Sequence, residues 1–255
     1  MFFSSQAFAV TYRQHKPYVN DPIMKLLCSG VSLRRTAKLT GVCKGTAARK
    51  LAWLADQSRA AHQEFLQRAG ARTSYVQFDE METYEHSKLK PLSIALAVRA
   101  KNGDILDAQV ATMNCHGWKA RLSRRIYGSR QDTRPDACRR VMETVRSVSK
   151  PTMTVASDSR KTYPKIIHRV MPQAQLKPIL SRAKMLSLAG AEKGFDPLFR
   201  LNHTAAKLRA DIARLARRTW SASKKAECLQ DHLMLYIAYN NGYHLPKWTT
   251  DGGAN

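Results

Sequence analysis

The chain has 255 residues, 43 Lys and Arg against 19 Asp and Glu, a formal net charge of +24 at pH 7, and 44% hydrophobic residues. That apolar content supports a packed core and excludes a wholly disordered chain, and no uncharged apolar run reaches the roughly 18 residues that a membrane-spanning helix needs. Cys28, Cys43, Cys115, Cys138 and Cys228 are scattered and never form C-x-x-C, which argues against both an all-cysteine zinc site and a disulfide framework and suits a reducing cytoplasm.

Residues 1–21 are expected to form an irregular leader. Their apolar start is short, lacks a positive n-region and meets Thr11-Tyr12-Arg13 too early for a secretory signal. Residues 22–57 carry apolar positions at helical spacing: Ile23, Leu26 and Leu27, then Leu33, Ala37 and Leu39, then Ala47, Ala48, Leu51 and Leu54. Gly30 and Gly41 interrupt the run and Ser32 is placed to cap the second segment. This predicts three helices of about nine, nine and fifteen residues. Ala37, four residues before Gly41, lets two helices approach closely; Val42 and Leu51 would bury the third; Lys44, Thr46, Arg49 and Lys50 would face outward. That is a helix-turn-helix layout, suited to a DNA major groove. A helical bundle with a solvated basic face is the plainer alternative. Residues 58–71 read as the tail of the third helix and a linker.

After Gly70 the period changes. Residues 74–83, 91–98 and 105–111 read as strands, the last two joined by Lys101-Asn102-Gly103-Asp104, a hairpin signal. Lys119, Arg121, Arg124, Arg125, Arg130 and Arg134 then make a basic stretch, read as a surface for the DNA backbone. Trp118 and Tyr127 within it either stack on a distorted or flipped base or anchor the stretch to the core. Residues 136–148 are expected to be a helix and 152–156 a short strand ending in Ser157-Asp158. Pro164 sits in the first turn of a helix reaching about residue 170. Residues 173–180 read as a fifth strand, and helices over 198–219 and 224–241 follow. Their stripes are Leu201, Leu208, Ile212 and Leu215, then Leu229, Leu233, Tyr236 and Ile237. Lys207, Arg209, Arg214, Arg217 and Arg218 make the first of them strongly cationic. The order of elements predicts an α/β domain over 72–242, a mixed sheet covered by helices, before a tail at 243–255. The first strand and the strand after the crossover helix are expected to be parallel neighbours.

A charge of +24 makes a polyanion the expected partner, because releasing condensed counterions from DNA favours binding. A carboxylate placed where phosphate must come then needs a reason, and metal binding is the usual one. Phe78-Asp79-Glu80-Met81-Glu82 sets three acids on a strand, Asp79 on one face and Glu80 and Glu82 on the other. If the strands carrying Asp79 and Asp158 are neighbours, the two backbones lie about 5 Å apart. That suits a pair of Mg²⁺ ions about 4 Å apart, as in two-metal phosphoryl transfer. A turn or cap role for Asp158 stays open. No phosphate-binding P-loop is present, so ATP use is not indicated.

Three segments resemble bacterial insertion-sequence transposases of the insertion-sequence-one type and their relatives: residues 78–93 (FDEMETYEHSKLKPLS), 195–204 (FDPLFRLNHT) and 208–220 (LRADIARLARRTW). The resemblance spans about residues 22–242. It implies an N-terminal DNA-binding region and a ribonuclease-H-like catalytic domain with an Asp, Asp, Glu or Asn triad. It also implies cleavage and joining of double-stranded DNA with Mg²⁺ or Mn²⁺, a homo-oligomer assembled on DNA, and a bacterial cytoplasm. The family motif carries its acids onto Asp79 and Asp158 and its third ligand onto Asn202, an amide where a Glu is usual. A cap role for Asn202 is equally open, with Glu192 and Asp196 as fallback acids. The zinc ribbon with two C-x-x-C pairs that often begins such proteins has no counterpart here, so no zinc site is expected. A truncated or domesticated copy that binds DNA without cutting it is therefore the alternative. A ribonuclease H would share the fold but leaves the helix-turn-helix unexplained.

Overall fold

A computed structural model of the chain describes residues 10–12, 14–69, 72–180, 196–216 and 220–242. Alternation along the strands decides the architecture, because it sorts side chains onto two faces of one sheet. The strands are β1 (Thr73–Tyr84), β2 (Pro91–Arg99), β3 (Ile105–Thr112), β4 (Ser149–Asp158) and β5 (Gln175–Ile179). They lie in the order β3-β2-β1-β4-β5. β1 pairs antiparallel with β2, and β2 with β3; β4 runs parallel to both β1 and β5. The expected hairpin joins β2 to β3, with Gly103 at φ 83 taking the left-handed position that its missing Cβ permits.

Both faces are covered. Met81, Leu92, Ile94, Leu96, Val98 and Ile105 point to one side. There they meet α1 (Asn20–Leu27), α3 (Lys44–Ala69), α7 (Phe199–Asp211) and α8 (Ala226–Asn240) through Ile23, Leu27, Leu51, Leu54, Leu201, Leu208, Leu229 and Leu233. Val76, Phe78, Ala95, Ala97, Leu106 and Val155 point to the other side. They pack on α5 (Arg134–Ser147) and α6 (Tyr163–Val170) through Val141, Met142, Val145, Tyr163 and Ile167. The result is a mixed α/β fold with a five-stranded sheet between helical layers and a helical N-terminal region. No helix among the described residues is long and apolar enough to cross a membrane.

In the N-terminal region, Pro17–Val19 form a 3-10 turn that leads directly into α1. Most of the expected leader and all of the expected tail at 243–255 lie outside the described residues. α2 (Leu33–Leu39) starts at Ser32, whose hydroxyl accepts the Arg35 amide proton, as the capping pattern predicts. Gly41 turns the chain into α3 at φ 65. The segment expected as the tail of the third helix and a linker is helix through position 69: α3 runs for 26 residues, longer than the expected fifteen, and packs along α8. Ser58 and His62 are buried there, His62 Nε2 lies 2.9 Å from the Leu106 carbonyl oxygen, and Arg59 pairs with Asp231. Beyond Ala55 the buried residues on the inner face of α3 are the polar Ser58 and His62, which hydrophobic spacing does not reveal.

Two further differences bear on the site. Part of the basic stretch forms α4 (Ala120–Tyr127), preceded by a 3-10 turn at Gly117–Lys119. Only Ser123 of that helix is buried, so no apolar stripe announces it. The helix expected over 198–219 stops at Asp211, and Ile212 is extended before a 3-10 turn at Ala213–Leu215. Ile212 and Leu215 are both buried, and the Asp211 carbonyl accepts the Gly30 amide proton at 2.7 Å. The break thus turns the chain into the core beside the α1–α2 corner. The final part of that expected helix, 217–219, lies outside the described residues.

Candidate active site

β1 is the middle strand, and Phe78 stands opposite Ser157 of β4. The next step of that parallel register brings Asp79 and Asp158 side by side. Both line a cavity of about 580 Å³ together with Glu80, Glu82, Asn202 and Arg209. The three residues expected as metal ligands, far apart in the chain, therefore open onto one space. The cavity lies where β4 ends, the customary location for a site in a sheet with parallel strands.

Gln77 brings α7 to this place. Two residues before Asp79 and on the same face, it is buried; its Nε2 donates to the Pro197 carbonyl and its Oε1 accepts from the Leu201 amide, both at 2.8 Å. Asp196 then organises the helix start. Its Oδ1 accepts the Leu198 amide proton at 2.9 Å and its Oδ2 accepts from Asn202 Nδ2 at 2.7 Å. Asp196 thus braces the turn that leads into the helix, and Asn202 sits one turn in with its amide nitrogen held and its Oδ1 left as the atom that could bind a cation. Both oxygens of Asp196, a fallback acid, are engaged in this bracing. Glu192 lies outside the described residues.

The two aspartates differ. Asp79 Oδ1 accepts from the Glu80 amide at 2.7 Å and from the Tyr163 hydroxyl at 3.2 Å. Burial, and next the charge of Asp158, push its carboxyl up to about 6. Burial also pushes the Tyr163 phenol up, so it stays a proton donor to Asp79. Tyr163 is itself fixed edge-on to Phe78, 4.9 Å between ring centres. Asp158 Oδ1 accepts the Arg160 amide proton at 3.2 Å, so the turn role and a place in the cavity coexist. Glu80 is committed elsewhere: it pairs with the Arg160 guanidinium and accepts from Ser93 Oγ at 3.0 Å and Cys138 Sγ at 3.1 Å. Gln77, Arg160 and Tyr163 are site residues that sequence reasoning missed. For Gln77 a signal existed, a polar residue on the inward face of an apolar strand.

Among the described residues, no three His, Cys, Asp or Glu side chains gather to hold a metal ion. Besides Glu80, which Arg160 pairs, and Glu82, the cavity wall offers the carboxylates of Asp79 and Asp158 and the Asn202 amide oxygen. All three are hard oxygen donors of the kind Mg²⁺ and Mn²⁺ accept, and the repulsion felt at Asp79 is what a cation would relieve.

The residues expected to contact DNA fall into separate places. Arg209 lines the cavity itself. Lys44 and Arg49 are exposed on α3, and Arg49 donates to Thr46 Oγ1 at 3.3 Å. Lys50 is a correction: it is 5% exposed and its Nζ donates to the Lys16 carbonyl at 3.1 Å. Helical spacing puts it on the buried side with Ala47, Leu51 and Leu54, and desolvation pulls its ammonium down to about 8. Arg121, Arg124 and Arg125 are exposed on α4, with Lys119 half-buried before it. Arg130 and Arg134 are occupied, with Glu85 at 3.1 Å and Asp132 at 2.6 Å. Arg217 and Arg218 lie outside the described residues.

A scan of protein-family models finds no match to this chain, and a search of curated proteins finds none either.

Proposed function

We propose that the protein is a metal-dependent DNA transposase with a ribonuclease-H-like catalytic domain. The observation that carries this reading is the convergence of Asp79, Asp158 and Asn202 on one cavity beside Arg209, in a chain of charge +24. In this reading Asp79, Asp158 and the Asn202 amide oxygen hold Mg²⁺ or Mn²⁺. A metal bound there would supply Lewis-acid stabilisation of charge on the phosphodiester and activation of the attacking oxygen. Arg209 draws the phosphate into the cavity, and Arg160 neutralises Glu80 so that this third carboxylate does not repel it. Tyr163 holds one Asp79 oxygen in place. The exposed α3 residues Lys44 and Arg49 supply duplex affinity away from the chemistry, in the manner of a helix-turn-helix.

The test is Asp79→Ala. Mg²⁺-dependent strand joining on element-end DNA is expected to vanish. Duplex binding, read by mobility shift, is expected to stay within about threefold, since affinity is carried by the cations and all of them remain. Equal joining by the mutant refutes the assignment.

A second reading has its own support: with an uncharged Asn202 as third donor, the chain would occupy DNA without cutting it. Mn²⁺ with the wild-type protein separates the two, because a pure binder shifts the DNA and never nicks it.

A further inference from the structure

A second cavity, of about 330 Å³, lies next to the first and shares one wall with it. It is lined by Glu82, Tyr84, Lys88, Pro91, His116 and Lys119, and Glu82 lines both spaces. Trp118, next in the chain to Lys119 of its wall, is 85% exposed. That exposure leaves most of the indole surface open to a planar partner. A cation already lies over it: Lys119 Nζ, on the cavity wall, is 4.9 Å from the centre of the Trp118 ring. Tyr127, also exposed, has Lys90 Nζ at 5.6 Å. Behind these rings α4 presents Arg121, Arg124 and Arg125 to solvent, and none of the three is in a salt bridge among the described residues. Lys90 is paired with Glu85, but exposed rings beside Lys119 and the three α4 arginines match one chemistry, a nucleobase for the ring face and its phosphates for the ammonium and guanidinium groups.

We infer that this face holds an unpaired DNA nucleotide beside the cleavage site, its base stacked on Trp118 and its flanking phosphates on Lys88, Lys119 and the α4 arginines. The inference rests on the proposed function in that it takes the partner to be DNA. It adds that the substrate is locally unpaired, and that a specific residue reads this. A fully stacked duplex cannot present a base face to Trp118; a frayed end, a mismatch or an extrahelical base can.

The experiment needs no catalysis, so it stands apart from the metal site. Affinity and fluorescence are measured without metal on two duplexes that differ at one position. In one, a fluorescent purine analogue is fully paired; in the other, it faces an abasic site. The wild-type protein is expected to prefer the unpaired site and to quench its fluorescence. Trp118→Ala is expected to lower affinity for the unpaired site by about tenfold, the scale of one base–aromatic stack, leave paired-duplex affinity unchanged and lose the quench. Trp118→Phe is expected to restore most of both. Because Trp118 is solvent-exposed, circular dichroism is expected to match the wild type. An equal unpaired-to-paired ratio for wild type and Trp118→Ala overturns the inference, as does failure to bind DNA at all. A change of oligomeric state in Trp118→Ala with no change in that ratio assigns the patch to self-association and also overturns it. If the preference for unpaired DNA holds while no metal ion supports cleavage, the nucleotide site stands and the transposase reading falls.

Discussion

Gln77 shows how one buried polar side chain sets the geometry of the site. Both of its polar ends bond to the backbone of the segment that begins α7, so the amide ties that segment to β1 two residues from Asp79. Gln77→Leu keeps the bulk but strands a carbonyl and an amide. It is expected to cost about 1–3 kcal/mol in chemical denaturation, the desolvation penalty for buried groups left unpaired. It is also expected to reduce strand joining, because Asn202 rides on the same helix while Asp79 itself is untouched. Unchanged stability would show that water or a rearranged helix start replaces both bonds.

At the scale of elements, the contact between α1 and α8 titrates. His232 of α8 is fully enclosed, and its Nε2 lies 3.0 Å from the Leu27 carbonyl at the end of α1. Burial, and next the nearby Arg214 charge, hold its imidazole down to about 3, against an ordinary value of 6.5. The unfolded chain therefore takes up a proton at a pH where the folded one does not. Stability from this group is complete above 6.5 and is lost as pH falls toward about 3. Thermal melts of the wild type are expected to fall more steeply over that interval than those of His232→Gln, which retains an amide donor for Leu27. Parallel slopes would remove His232 as the cause. Because α1 and α3 share a core with α7, α8 and the sheet, acid is expected to loosen the N-terminal helices and the sheet together rather than one by one.

At the scale of the molecule, the cations form a surface distributed over α3, α4 and the cavity mouth. If the partner is DNA, as proposed, each phosphate these cations neutralise would release counterions, so log affinity is expected to fall linearly with log salt. Replacing Arg121, Arg124 and Arg125 together by Gln is expected to lower that slope by about one for each phosphate no longer neutralised, and to weaken binding to unrelated sequences to the same degree. The measurement is a salt titration of duplex affinity. An unchanged slope would mean that α4 faces away from DNA, and would leave α3 and the cavity as the contact surface.

Local pattern was enough for much of this architecture. The change of period after Gly70 and the apolar run along β2 announced strands, Asn102-Gly103 announced the hairpin, and the crossover rule allowed the strands carrying Asp79 and Asp158 to be parallel neighbours, as they are. The features it missed have a common cause. The inner face of α3, the break after Asp211, the burial of Lys50 and the whole of α4 all depend on residues that their own neighbours in the chain do not specify. Amino-acid order by itself determined the sheet, the overwhelming positive charge and the two acids, because strand alternation and charge are properties of short segments. Only the folded chain decided that Asn202 and Arg209 join those acids. Their positions come from Asp196 bracing the start of α7 and from Gln77 gripping it across more than a hundred residues, and hydrogen bonds made at that separation leave no period to read.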